Sequence, residues 1–211
     1  LGGGSAIDMG KALAALLPGT GTPLDHLEVV GQGLPLTADP LPFIAIPTTA
    51  GTGAEATRNA VITVPDHARK VSLRDPRMIP DVALVDSRLM EGAPKAVVLA
   101  AGLDAVTQVI EPYLCNRANP MTDALCRDAI PRGLRALRAV IEAPGSRDWD
   151  DMAHVSLCGG IALSNAGLGA VHGLAGVIGG VTGAAHGAIC GALLPHVLSA
   201  NAAMVPPHDP V

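Results

Sequence analysis

Asp104, Gln108 and Glu111 fall at i, i+4 and i+7, a spacing that on a helix lines up a carboxylate, an amide and a second carboxylate along one face. A solvated helix presents a face of the same kind. His172 and His186 lie fourteen residues apart, each followed by glycine. The Gly-rich segment between them can fold as a helical hairpin and bring both imidazoles together. One Asp and two His form the donor set of a catalytic divalent cation that keeps an open coordination position. The alternative for each ring alone is satisfaction by backbone or solvent. His26, His67, His154, His196 and His208 have no partner at ligand spacing and are read as surface or core residues.

Two further segments suit a phosphorylated ligand. Gly2-Gly3-Gly4-Ser5-Ala6-Ile7-Asp8 places three glycines and a serine between a strand end and a helix N-terminus. Bare backbone N–H groups and the positive helix end can receive a diphosphate there. The G-x-G-x-x-G pattern is absent, and a glycine turn without a ligand is the competing reading. Pro47-Thr48-Thr49-Ala50-Gly51-Thr52-Gly53-Ala54-Glu55 puts three hydroxyls and two glycines directly after an apolar run. Open α/β sheets bind ligands at strand carboxyl ends, so this loop suits a phosphate or ribose. Thr52 and Glu55 also have the spacing of a capping box, and both roles can hold at once.

The elements that must position these residues divide near residues 88 to 93, giving an α/β part over 1–90 and a helical part over 91–211. In the first part a helix is expected from Ala6 to Leu17. Short strands are expected at Pro42 to Pro47, Val61 to Val64, Lys70 to Leu73 and Val82 to Val85, separated by Pro/Asp turns. After Pro94 strand signals vanish. Helices are expected over Pro94 to Leu114, Pro120 to Ala143, Asp148 to Ser164, Gly169 to Val181 and His186 to Asn201. Pro131 is expected to kink the second of these. Glycines 159, 160 and those from 167 to 180 suit close helix approach in an aromatic-poor core.

The 211 residues, 49% apolar and 16% charged, suffice for a substantial core. A net charge of −5 and three aromatic residues leave no basic stripe or stacking platform for nucleic acid. Uninterrupted apolar runs such as Ala96 to Leu103 fall short of the roughly 20 residues of a membrane span, so no membrane partner is expected. The four cysteines contain no C-x-x-C pair, and free thiols in a reducing cytoplasm are expected. The glycine turn directly after Leu1 implies a strand with upstream neighbours, and the Pro-rich stretch Pro206 to Pro210 reads as another cut or a frayed end. The sequence is therefore read as an internal piece of a longer chain.

Taken in order, these segments resemble the iron-containing (group III) alcohol dehydrogenase family. The resemblance rests on Gly2 to Ser5 with Asp8 and Lys11, on Ile46 to Thr52 with Glu55, and on Asp75-Pro76 through Val85-Asp86. It continues through Gly102-Leu103-Asp104-Ala105, Ser164 to Gly169, Val171-His172-Gly173, and His186-Gly187 to His196. It implies a dehydroquinate synthase-like pair, a partial α/β nucleotide-binding domain followed by a partial all-α domain, with NAD or NADP and a metal meeting in the cleft. By motif, Gly3, Gly4 and Ser5 would face the cofactor diphosphate, Thr48, Thr49 and Thr52 would line the diphosphate and nicotinamide ribose, and Asp8 and Lys70 would belong to the cofactor site. Asp104, His172 and His186 match three of four metal-ligand positions for Fe²⁺ or Zn²⁺, and Gln108 stands at the fourth, normally histidine.

The implied activity is alcohol or aldehyde oxidoreduction on a small substrate, with His172 and His186 at the catalytic centre and a homo-oligomer as the assembly. Gly176 stands where the family commonly carries a second histidine that relays the alcohol proton. Gln108 also admits a metal-independent reductase like the maleylacetate reductases, and the two departures together admit a non-catalytic nucleotide-binding or scaffold chain.

Overall fold

The computed structural model describes residues 1–143 and 148–205; His208 and the Pro206 to Pro210 stretch lie outside them. The α/β part opens with α1 (Gly4–Leu16), whose buried face carries Ile7, Lys11, Ala14 and Ala15 at helical spacing. A single-turn helix, α2 (Pro23–His26), follows, started by Pro at its first position and by a capping box between Thr22 and Asp25. Strand β1 (Ile44–Ala45) is succeeded by β2 (Asn59–Val64), β3 (Arg69–Arg74) and β4 (Val82–Ala83).

β1 pairs in parallel with β4, Ile44 opposite Val82, and Gly2 forms a parallel bridge with Pro47 on the other side. The row of parallel segments is therefore Gly2, β1, β4, with the glycine turn and the threonine loop both leaving its carboxyl end. The ladder at β1 is shorter than the apolar run Pro42 to Pro47 implies. Prolines at both ends remove the N–H groups that would extend it. β2 and β3 form an antiparallel hairpin in which Asn59 opposes Arg74, closed by a tight turn with Ala68 at φ 47°. α1 packs on this hairpin through Ala12 and Ala15 against Ala60, Val71 and Leu73.

The helical part consists of α3 (Lys95–Leu114), α4 (Pro120–Glu142), α5 (Asp148–Asn165), α6 (Ala170–Thr182) and α7 (His186–Met204). The expected order, α/β then all-α, holds. α3 lies at the centre, against α4, α5 and α7. Val106 and Val109 of α3, Cys126, Ala129 and Ala136 of α4, and Met152 and Val155 of α5 form its core. α4 is assigned as one helix through Pro131. Small residues set the spacing: a Cβ at Gly133 would stand 3.0 Å from Val155 Cγ1 and one at Gly102 would run into Leu137.

Among the described residues, α3 and α7 are long and apolar enough to cross a membrane by length and composition alone, with mean hydropathy 1.3. This corrects the expectation drawn from uninterrupted runs, because Ala, Leu and Val keep the average of α3 high across Asp104, Gln108 and Glu111. In the fold those three polar residues are buried inside the helical bundle.

The two parts are locked where the threonine loop crosses α5. Gly53 has φ +58°, and a Cβ there would stand 2.5 Å from Ser156 O, while one at Gly160 would stand 2.2 Å from Gly53 O. Backbone lies directly on backbone, and only glycine fits at either position. Gly51 N–H donates to Ser156 Oγ at 2.9 Å and Ser164 Oγ to Ala56 O at 3.0 Å, which fix the register of the crossing. Gly176, by contrast, has no atom near its missing Cβ. Gly160→Ala is expected to lower stability by about 1–3 kcal/mol or more through overpacking, whereas Gly176→Ala is expected to raise it by about 0.5–1 kcal/mol by removing a helical glycine. Urea unfolding of both variants checks the contrast.

Candidate active site

Asp104, Gln108 and Glu111 share one face of α3, and that face points into the protein: all three are buried. Each carboxylate needs a partner there, since an unpaired buried charge is costly. Glu111 finds it at the start of α6. Its Oε1 accepts from Val171 N–H at 2.7 Å, and its Oε2 accepts from His172 N–H at 3.3 Å. A carboxylate thus satisfies first-turn N–H groups that have no intrahelical acceptor and sits at the positive helix end. The same Oε2 lies 2.6 Å from His172 Nδ1. A proton on Nδ1 donates to Glu111, which leaves Nε2 facing Asp104 Oδ1 at 3.2 Å.

α7 brings the second imidazole. His186 Nε2 lies 3.8 Å from Asp104 Oδ1, and the two histidine rings are tilted at 54° with centroids 5.4 Å apart. Close approach of α7 to α3 makes this possible. A Cβ at Gly187 would stand 1.9 Å from Ala100 O, and one at Gly191 would stand 2.6 Å from Leu103 Cδ1. The glycine at i+4 repeats the allowance one turn later, so α7 rides on α3 over two turns. One turn beyond His186 on the same face is Cys190, fully buried. The donor atoms of Asp104, His172, His186 and Cys190 all lie within 4.8 Å of one another.

Electrostatics follow from this packing. Burial alone would lower His172, but the hydrogen bonds to Asp104 and Glu111 outweigh it and push its pKa up to about 9. Burial likewise works against ionisation of Glu111, yet its hydrogen bonds from His172 and the α6 backbone hold it below the usual range. Burial lowers His186; Asp104 opposes this, while the positive charges of His172 and Lys70 reinforce it. Burial, followed by Asp104, pushes the Cys190 thiol up.

The two loops meet beside this cluster. The missing Cβ of Gly3 faces Thr49 at 3.4 Å, and that of Gly4 faces Thr52 Oγ1 at 2.7 Å. Thr48 N–H donates to Gly2 O at 2.9 Å, so the threonine loop runs directly alongside the glycine turn. Thr52 Oγ1 accepts from Ala54 N–H at 3.3 Å, a cap on a short 3₁₀ turn rather than on an α-helix. Glu55, in the middle of that turn, is buried, and its Oε1 has no hydrogen-bond partner among the described residues. Ser5 stands exposed on the first turn of α1.

Asp8 accepts from Val61 N–H at 3.0 Å and stands 3.6 Å from Lys11 Nζ, which ties α1 to β2. Buried Lys11 donates to Ala54 O at 2.8 Å and Thr57 O at 3.1 Å, holding the far end of the threonine loop. Gln108 donates its amide N–H to Thr52 O at 2.6 Å. Its observed bond thus clamps the threonine loop to α3.

The sequence pattern described as iron-containing alcohol dehydrogenase matches residues 1–87, and that described as the C-terminal part of the Fe-containing alcohol dehydrogenase family matches residues 98–208. The chain belongs to the iron-containing alcohol dehydrogenase family. Lactaldehyde reductase of Escherichia coli K12 is 41% identical over 205 residues, 96% of this chain and 52% of that protein. 1,3-Propanediol dehydrogenase of Klebsiella pneumoniae is 37% identical over 95% of this chain and 51% of its own length. The crystal structure of a 1,3-propanediol oxidoreductase superposes with TM-score 0.87 at 36% identity, over 95% of this chain and 52% of that one. That of sulfoacetaldehyde reductase from Bifidobacterium kashiwanohense in complex with NAD⁺ gives TM-score 0.88 at 28% identity, over 95% and 53%. The chain of this alcohol dehydrogenase family member spans about half the length of the curated relatives it matches.

Two residues of the cluster were not legible as part of it from sequence. Glu111 stood out only as one more carboxylate on a helix face, because the α6 N-terminus it caps is 60 residues away. Cys190 carried a usable signal, the i+4 spacing from His186, which pairs it with that histidine as Gln108 is paired with Asp104.

A sign follows from His172. Its folded pKa of about 9 lies above the 6.5 of a free imidazole, so its contribution to stability is complete below about pH 6.5 and is lost as pH rises through about 9. In chelator-treated protein, the stability advantage of wild type over His172→Gln is expected to shrink between pH 6.5 and 9.5. Urea unfolding at the two pH values measures it, and an advantage that grows with pH contradicts the assignment.

Proposed function

We propose that this chain carries the reaction cleft of an NAD(P)-dependent, metal-assisted oxidoreductase that interconverts a small alcohol and its aldehyde. The observation that carries the reading is the convergence of Asp104, His172 and His186 on a common point beside the paired glycine and threonine loops. The donor set fits a divalent cation. Two imidazoles and a carboxylate are ligands of Fe²⁺ and Zn²⁺, and Glu111 already holds the Nδ1 proton of His172, leaving Nε2 as the coordinating atom. A bound cation supplies Lewis-acid polarisation of the substrate oxygen and lowers the pKa of an alcohol.

The loops fit a dinucleotide. Gly4 lacks the Cβ that would collide with Thr52, and that of Gly3 would just touch Thr49; the first-turn N–H groups of α1 at Gly4 and Ser5 have no intrahelical acceptor and suit a diphosphate. Bound NAD or NADP supplies the hydride carrier. Thr48, Thr49 and Thr52 offer hydroxyls to the diphosphate and ribose. Asp8 serves the same loop by anchoring α1 to β2, Gln108 holds Thr52 in place from α3, and Lys70 brings positive charge to the His186 side of the cleft. Gly176 puts no imidazole one turn beyond His172, so the substrate proton would pass to water, another side chain or the ribose hydroxyls. A homo-oligomer in the cytoplasm completes the reading, the latter in keeping with four cysteines that are all free.

Metal analysis combined with calorimetric titration of NADH and NADPH tests the assignment. Binding of one nucleotide and retention of about one divalent ion per chain are expected; failure to bind either nucleotide removes the enzyme reading. Activity that survives full chelation replaces it with the metal-independent reductase that Gln108 admits. Glu111→Gln is expected to weaken the metal by about 10–100-fold, the usual cost of losing a ligand's hydrogen-bond partner, measured by competition with a chromophoric chelator.

A further inference from the structure

We propose that Cys190 is a fourth protein ligand of the same cation, so that the site is an Asp-His-His-Cys set suited to zinc, with substrate oxygen entering as a fifth ligand. This rests on the metal reading above. The thiol has a competing explanation, since free cysteine is a small hydrophobe and Cys190 belongs to the apolar cluster of Val171, Ala175 and Ile189. Three observations separate the two. The sulfur lies within 4.8 Å of the ligand atoms of Asp104, His172 and His186, so one side of it meets donors. Its place one turn beyond His186 puts it on the face of α7 that carries that imidazole. The glycines at 187 and 191, on either side of that turn, bring the helix down onto α3 at Ala100 and Leu103, which directs the 186/190 face toward Asp104.

The distances suit a small ion. Donors of a tetrahedral zinc site stand about 3.3–3.6 Å apart, as bond lengths of about 2.0–2.3 Å require. Asp104 Oδ1 is already 3.2 Å from His172 Nε2 and 3.8 Å from His186 Nε2. Gln108 has its amide nitrogen on Thr52 O, and its remaining donor, the amide oxygen, is harder than the thiol and suits zinc beside two imidazoles less well. On binding, the S–H bond is lost, its proton goes to solvent and sulfur coordinates as thiolate. A thiolate beside two imidazoles shifts the set toward zinc and away from hard, oxygen-seeking ions.

X-ray absorption at the zinc edge of the zinc-loaded full chain tests this. One sulfur at about 2.3 Å with nitrogen and oxygen neighbours at about 2.0–2.2 Å is expected. A shell of nitrogen and oxygen alone overturns the proposal and leaves the metal reading standing; a chain that retains no zinc overturns both. Cys190→Ser is expected to lose the sulfur neighbour and to weaken zinc by no less than the roughly 10–100-fold that loss of a ligand's hydrogen-bond partner costs. A second variant, with Cys115, Cys126 and Cys158 changed to alanine, leaves Cys190 as the one thiol and must keep the sulfur signal. If the signal disappears there, it came from another cysteine and the proposal fails, whether or not Cys190→Ser folds.

Discussion

The crossing of Gly53 over Gly160 is the constraint on which the rest depends. Two backbones meet with no side chain between them, and this contact sets the threonine loop at one height on the helical part. Around it, Ser156, Ser164 and Gln108 bond three points of the same loop from α5 and α3, and Lys11 bonds it from α1. Loop backbone in a protein interior must have its polar groups answered. Here they are answered from both parts at once. The threonine loop therefore belongs to neither part alone, and its position is fixed relative to both.

On the helical side, glycine acts in the same way. Gly187 and Gly191 let α7 lie on α3, and the consequence is chemical. Asp104, buried on α3, acquires the imidazole of His186, which would otherwise be too distant. The arrangement concentrates charge: Asp104 and Glu111 both lie inside the protein with one histidine between them. Buried carboxylates so close would repel, and His172 reconciles them by donating to Glu111 while facing Asp104. Packing by small residues and the electrostatics of the site are in this sense a single design. Loss of the α7 glycines would part His186 from Asp104.

Much of this was legible in the sequence. Pro94 and Pro120 mark the starts of α3 and α4 because a helix start tolerates a residue without an N–H, and Ala- and Leu-rich segments beyond them leave little choice but helix. β2 and β3 were readable as short strands from the turn residues between them; their antiparallel pairing comes from the fold. β1 was over-read, because an apolar run says nothing about which N–H groups the flanking prolines remove. Asp104, His172 and His186 could be singled out by type and spacing. Their partners could not. The bond from Gln108 to Thr52 spans 56 residues, and no local pattern distinguishes an amide that clamps a loop from one that binds a metal. Lys11 illustrates the same limit: helical periodicity puts it on the buried face, but only the fold reveals the carbonyls that accept its charge.

The arrangement makes the two halves of the cleft energetically dependent. α3 carries Asp104 and, one turn on, Gln108, whose amide holds Thr52; a shift of α3 moves Asp104 and the threonine loop together. α7 then follows α3 through the glycine contacts, and His186 with it. A ligand that orders the threonine loop therefore also orders the helix that presents Asp104. On the proposed function, a cation that stabilised this placement of α3 and a nucleotide that ordered the loop would each favour the other by one and the same factor. Coupling of this kind needs no long pathway. It follows from one helix supplying residues to both sites, with the loop crossing held too tightly by Gly53 and Gly160 for either site to relax independently.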